Sequence, residues 1–156
     1  MNAGVQLVLH DKNPVEVVVA LLSSLPRKGV VVCASVPSPH LQSMLAPHSN
    51  VERLFFVDCC SKRLGTPLHA ELNGVYTDIL SEVAMVAERA PGAFVVVDDL
   101  LSLLQQHSGD DVAHLLETLK VAQSRPVFVL ANQSGLSPEF LDQAHELFDS
   151  VITEHP

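Results

Sequence analysis

The sequence predicts a doubly wound α/β domain, with a mainly parallel sheet of five to six strands and helices on both faces. Two observations carry this. Short β-branched runs alternate with stretches of helical period from one end of the chain to the other, and strands separated by helices need crossover connections, which make neighbours parallel. Hydrophobic residues form 47% of the 156 residues against 17% charged, enough for a sizeable core at a length typical of one domain. A single domain over residues 1–156 is the expectation.

The elements follow in order. Val5 to Leu9 reads as a buried strand. Asn13-Pro14-Val15-Glu16 then supplies an N-cap, a first-turn proline and a capping-box glutamate, and Val15, Val18, Val19, Leu22 and Leu25 repeat at helical spacing. Val30 to Ala34 is the second strand. Ser38-Pro39 opens a helix with Leu41, Met44 and Leu45 inward, stopped by Pro47. Leu54 to Val57 is the third strand, ending at Asp58. Cys59 to Gly74 shows no clear period and is expected to be a long loop or short irregular pieces.

Tyr76, Ile79, Leu80, Val83 and Val86 predict the next helix, closed by Pro91-Gly92. Phe94 to Val97 is a strand running into Asp98-Asp99. Asp110 or Asp111 is expected to cap a helix with Val112, Leu115, Leu116 and Leu119 inward. Val127 to Leu130 is the fifth strand, and Ser137-Pro138 starts the last helix with Leu136 and Leu141 at staple positions. Phe148 to Ile152 is a candidate sixth strand.

Composition excludes several function classes. The formal charge of −9, the absence of Trp and the single Tyr argue against nucleic-acid binding, which needs clustered cations and stacking rings. The basic pairs Arg27-Lys28 and Lys62-Arg63 stand in separate loops. No apolar run approaches the roughly 20 residues of a membrane span, and the first residues lack a signal peptide's basic flank. Three cysteines without paired spacing fit a reducing, cytoplasmic setting.

Ligands of open α/β sheets bind where strands end at their carboxyl edge. Those ends carry His10-Asp11-Lys12, Ser35, Asp58-Cys59-Cys60, Asp98-Asp99 and Asn132-Gln133. Asp11, Asp58, Asp98 and Asp99 are the candidate oxygen ligands for a hard cation; equally, polar residues simply resume where strands stop. Adjacent Cys59-Cys60 lack zinc or redox spacing; convergence with His10 or His69 on a metal is the weaker alternative. A nucleophilic Cys60 would need a strand-to-helix turn, and no helix start follows it in the sequence.

The turn after the first strand, His10-Asp11-Lys12-Asn13-Pro14, has no glycine, an acid where an anion would sit, and a proline that deletes a helix-start donor. It fits neither a phosphate-binding loop nor a dinucleotide fingerprint.

Phe94-Val95-Val96-Val97-Asp98-Asp99 has the shape of a Walker B strand, and the Leu100-Leu101-Ser102-Leu103-Leu104 that follows makes the pattern more specific. Together with Gly29 to Pro37 and Val51 to Asp58, this segment resembles the RecA/KaiC superfamily over most of the chain. The resemblance implies a RecA-like sheet with Asp98 as the Walker B-like acid. It also implies a degenerate member, because the turn after Leu9 carries no Walker A loop and no glutamate stands near Ser35. Catalytic and cofactor-binding residues, and cofactors, are therefore expected to be none.

The function expected is a non-catalytic protein-interaction or regulatory module, a pseudo-ATPase that binds a protein partner or self-associates. Leu64, Leu68 and Leu72 of the 59–74 loop are its candidate contacts. The alternative is a Mg-type enzyme such as a phosphohydrolase, using the strand-end carboxylates.

Overall fold

The structure, a computed structural model, describes residues 4–25, 27–48, 50–65, 73–90, 92–121 and 126–153. Seven strands form one sheet: β1 (Gly4–His10), β2 (Gly29–Cys33), β3 (Leu54–Asp58), β4 (Gly74–Tyr76), β5 (Phe94–Val97), β6 (Pro126–Asn132) and β7 (Ser150–Thr153). Their spatial order is β4-β3-β2-β5-β6-β1-β7, and each neighbouring pair is parallel. The helices are α1 (Pro14–Ser24), α2 (Ser38–Leu45), α3 (Ser61–Leu64), α4 (Leu80–Glu88), α5 (Leu100–Gln106), α6 (Gly109–Val121) and α7 (Pro138–Leu147).

Residue alternation along the strands divides the core in two. Val8, Val31, Phe56, Phe94, Val96 and Leu130 face α1 and α2, meeting Val18, Leu22, Leu41 and Leu45. Val5, Leu7, Val32, Val95, Val97 and Val129 face the other side, meeting Val83 of α4, Leu100 and Leu103 of α5, Leu115 and Leu116 of α6 and Ala144 of α7. Strands covered on both faces must be apolar throughout, which is why β2 and β5 read as unbroken β-branched runs.

The expected elements stand, with corrections. The sheet has seven strands because Gly74–Tyr76 pairs with β3 at the edge; Tyr76 belongs to that strand, and the following helix starts at Leu80. Within the expected 59–74 loop, Ser61–Leu64 is helical. Leu100-Leu101-Ser102-Leu103-Leu104, to which the sequence pattern assigns no element, lies in helix α5. The Ser108 hydroxyl accepts from the Asp111 amide, so the α6 cap falls before Asp110 and Asp111. Met44, expected inward, is 48% exposed.

Gly29 at the start of β2 is a close-approach position. A Cβ there would lie 2.2 Å from two ring atoms of Phe94, itself buried. Gly29→Ala is expected to destabilise the fold by about 2 kcal/mol through overpacking. Urea denaturation should show that loss, and Phe94→Leu in the same chain should recover part of it; a neutral single variant would contradict the packing described.

Candidate functional site

The connections determine where a ligand could enter. α1 and α2, which follow β1 and β2, lie on one face; α5, α6 and α7, which follow β5 and β6, lie on the other. Adjacent β2 and β5 therefore feed opposite faces, and so do adjacent β1 and β6. In a doubly wound sheet the crevices for ligands open between such pairs, at the carboxyl edge.

The β2/β5 crevice is bridged by the protein itself. Asp98, directly after β5, is fully buried. Its Oδ1 accepts from the Ala34 amide at 2.7 Å, and its Oδ2 from the Val36 amide at 3.0 Å and the Ser35 amide at 3.2 Å. The Ser35 hydroxyl adds a contact at 3.3 Å. Burial pushes the Asp98 carboxyl up to about 6; the amides of Ala34, Val36 and Ser35 oppose that rise, and the neighbouring Asp99 adds to it.

Asp58, at the end of β3, holds the same β2–α2 loop from the other side. Its Oδ2 accepts from the Ser38 amide at 2.8 Å and from the Ser61 hydroxyl, and its Oδ1 from the Ser61 and Cys60 amides at 2.7 and 3.0 Å. Burial resists ionisation of Asp58, but the Ser61 hydroxyl and the amides of Ser38, Ser61 and Cys60 outweigh it, and the pKa is lowered. Two carboxylates from β5 and β3 thus clamp the loop after the strand between them.

The β1/β6 crevice is bordered by buried His10 and by exposed Asp11 and Lys12. The Asn13 side chain accepts from the Val15 amide at 2.9 Å, and Pro14 occupies the first turn. One helix-start donor is bonded and another is missing, so α1 presents little to an anion. Asn132 on the far side accepts from the Ser134 amide and hydroxyl.

The same pattern runs along the whole edge. Asp99 accepts from the Leu101 amide and the Ser102 hydroxyl at the start of α5. Thr77 accepts from the Ile79 amide and donates to Glu82 at the start of α4. Ser137 accepts from the Phe140 amide of α7. The polar row legible in the sequence is a row of internal caps. Of the four candidate metal ligands, Asp58, Asp98 and Asp99 each bind backbone amides and Asp11 is exposed. Among the described residues no group of three or more His, Cys, Asp or Glu side chains is placed to hold a metal ion.

Cys33, Cys59 and Cys60 are buried free thiols near this clamp. Cys60 immediately precedes α3, so it does stand on a strand-to-helix turn, contrary to expectation. Burial first, then the charges of Asp98 and Asp58, pushes Cys59 up to about 12. Cys33 and Cys60 are raised as well, by burial and the same two carboxylates. Of the expected contact residues, Leu64 is 52% exposed, while Leu68 and Leu72 lie outside the described residues, as does His69. The amides of Ala34, Ser35 and Val36 that receive Asp98 carry no sequence signal, since any residue supplies an N–H.

The strand order and the two-faced helix layers define a RecA-like α/β fold. The chain is similar in structure to an uncharacterized protein, PH0321, of Pyrococcus horikoshii, crystallised in complex with an unknown peptide. The TM-score is 0.71 at 13% identity, over 99% of this chain and 78% of that one. It is also similar to the flagellar accessory protein FlaH of Methanocaldococcus jannaschii, with a TM-score of 0.58 at 11% identity over 97% of this chain and 71% of that one. No family model matches the sequence, and no curated protein does. Likeness at this identity shows the fold.

Proposed function

We propose that this chain is a non-catalytic RecA-like module that works by protein interaction or regulation and does not turn over nucleotide. One observation carries the reading. At the carboxyl edge, where RecA-like domains would hold a phosphate and its metal, helix starts and strand-end acids are already bonded to one another. The Walker B-like acid, Asp98, is buried against amides of the β2–α2 loop and offers no free oxygen edge to a cation. The turn after β1 has no glycine to curl its amides around a phosphate; its Val15 amide is held by Asn13, and Pro14 has no N–H to give. The bound peptide of the Pyrococcus protein and the accessory role in FlaH's name are in keeping with a module that acts through partners. A cytoplasmic, single-domain module is part of this reading. Among the described residues no helix is long and apolar enough to cross a membrane.

The Mg-type phosphohydrolase alternative would need Asp11, Asp58, Asp98 and Asp99 to share an ion, and three of them are occupied by backbone amides. The test is a thermal melt with Mg-ATP alongside a phosphate-release assay. A ligand at about 100 times its Kd would add about 2.7 kcal/mol, several degrees for a domain of this size. No shift and no phosphate release are expected. A shift of several degrees that Lys12→Ala abolishes would overturn the proposal.

A further inference from the structure

The charge of this protein is distributed very unevenly between its two helical layers. α4 carries two acids, α6 three and α7 three, against one Lys and no Arg; that residue, Lys120, is paired with Asp149 at 2.8 Å. The opposite layer, α1 and α2, carries Glu16 and no other charged side chain. The formal charge of −9 is therefore concentrated on the α4–α6–α7 face.

On that face α4 and α6 enclose a groove of about 680 Å³. Its floor and walls are apolar: Ile79 and Met85 are 51% and 49% exposed, with Leu80, Ala84 and buried Leu115 between them. Its carboxylates are Asp78, Glu88 and Asp111; Ser81, His114 and Thr118 complete the polar rim, and no Lys or Arg lines it. His107 also lines it, and its Nε2 is buried without a hydrogen-bond partner among the described residues. Exposed Ile and Met inside a ring of one charge sign is the complement of an amphipathic helix whose polar edge is cationic.

We propose that the α4–α6 groove docks a basic amphipathic helix of a partner protein, its apolar face on Ile79 and Met85 and its Lys or Arg side chains on Asp78, Glu88 and Asp111. This rests on the interaction-module reading and gives it a surface and a partner chemistry. A second copy of this chain fits poorly. Its own acidic face would be repelled, and its exposed basic–apolar segment, Lys62 to Leu64, lies in a helix of only four residues.

The test is fluorescence anisotropy of the full chain with a labelled synthetic Leu/Lys amphipathic helix of about 15 residues, roughly four turns. The comparison peptide has the same Leu pattern with Glu in place of Lys. The Leu/Lys helix is expected to bind and the Leu/Glu helix not to, with affinity falling as salt rises from about 50 to about 500 mM. Glu88→Lys with Asp111→Lys should weaken binding about tenfold, because each reversal turns a modest surface attraction into repulsion. Met85→Lys, at an exposed position that leaves the core intact, should weaken it similarly. Glu16→Lys on the opposite layer should change it less than about twofold.

Equal binding of both peptides, or Leu/Lys binding indifferent to the groove variants but sensitive to Glu16→Lys, would overturn the groove and leave the interaction module standing. No binding together with the Mg-ATP shift described above would overturn both. Concentration-dependent self-association, seen by sedimentation and lost in Met85→Lys, would replace the partner by a second copy and overturn the proposal as stated.

Discussion

Asp98→Ala is expected to destabilise the fold by about 4 kcal/mol, a large share of the 5–15 kcal/mol that holds most domains together. The side chain is buried and serves three amides of the β2–α2 loop. Removing it leaves those donors unpaired at about 1–3 kcal/mol each, with part regained by relief of a buried charge and by entering water. Asp98→Asn should fall between: one oxygen still accepts from a loop amide, while the new NH₂ confronts another N–H. Chemical denaturation at neutral pH measures both. A Walker B acid holding a cation would behave in the opposite way, because removing a charge kept for function commonly leaves stability unchanged or raises it. A neutral or stabilising Asp98→Ala would reject the clamp.

The pH dependence gives an independent handle on the same group. The Asp98 carboxyl titrates near 6 in the folded protein, above the usual value near 4 of an unfolded chain. Between those values the native state holds more protons than the unfolded state, so stability falls as pH rises. The contribution is fully present below about pH 4 and lost above about pH 6. Asp58, whose pKa is lowered, works in the other direction and costs stability as the solution is acidified. Asp98→Asn should remove the decline between about pH 4 and 6 and leave the acid-side loss due to Asp58.

The fold was legible in the sequence where burial on two faces forces long apolar runs, as in β1, β2, β3, β5 and β6. It was hidden where that logic lapses. Gly74–Tyr76 is too short to show alternation, and Tyr76 keeps helical spacing with Ile79, Leu80 and Val83, so the pattern absorbs the strand into the helix. α5 is Leu-Leu-Ser-Leu-Leu-Gln-Gln, apolar with little polar face, so period alone does not distinguish it from a turn or a strand.

The candidate site divides in the same manner. The acids and amides at the strand ends were readable one at a time, but their targets were not. Asp98 reaches Ala34 to Val36 only because β5 lies beside β2, and Asp58 reaches Ser38 only because β3 lies on the other side. Strand order, which local pattern does not encode, decides whether a strand-end carboxylate faces a ligand or a loop. The concentration of acids on one face is likewise invisible until α4, α6 and α7 are known to share one layer.

The three thiols should be almost inert in the folded protein, with alkylation at pH 8 slower by about a thousandfold than in urea. Cys60 is the informative case, because it occupies a strand-to-helix turn, the place from which nucleophiles are often presented. Activation there needs a nearby cation or the free amides of a helix start to stabilise thiolate. Here the Cys60 and Ser61 amides point to Asp58 instead, and the carboxylates of Asp58 and Asp98 repel a second negative charge. For Cys59, a pKa of about 12 leaves only about one thiol in ten thousand ionised at pH 8, against roughly a quarter for an ordinary cysteine. Iodoacetamide labelling followed by mass measurement, native against urea-unfolded, reads the difference directly. One thiol per chain labelled natively at the unfolded rate would contradict this account and leave an accessible thiol beside the clamp.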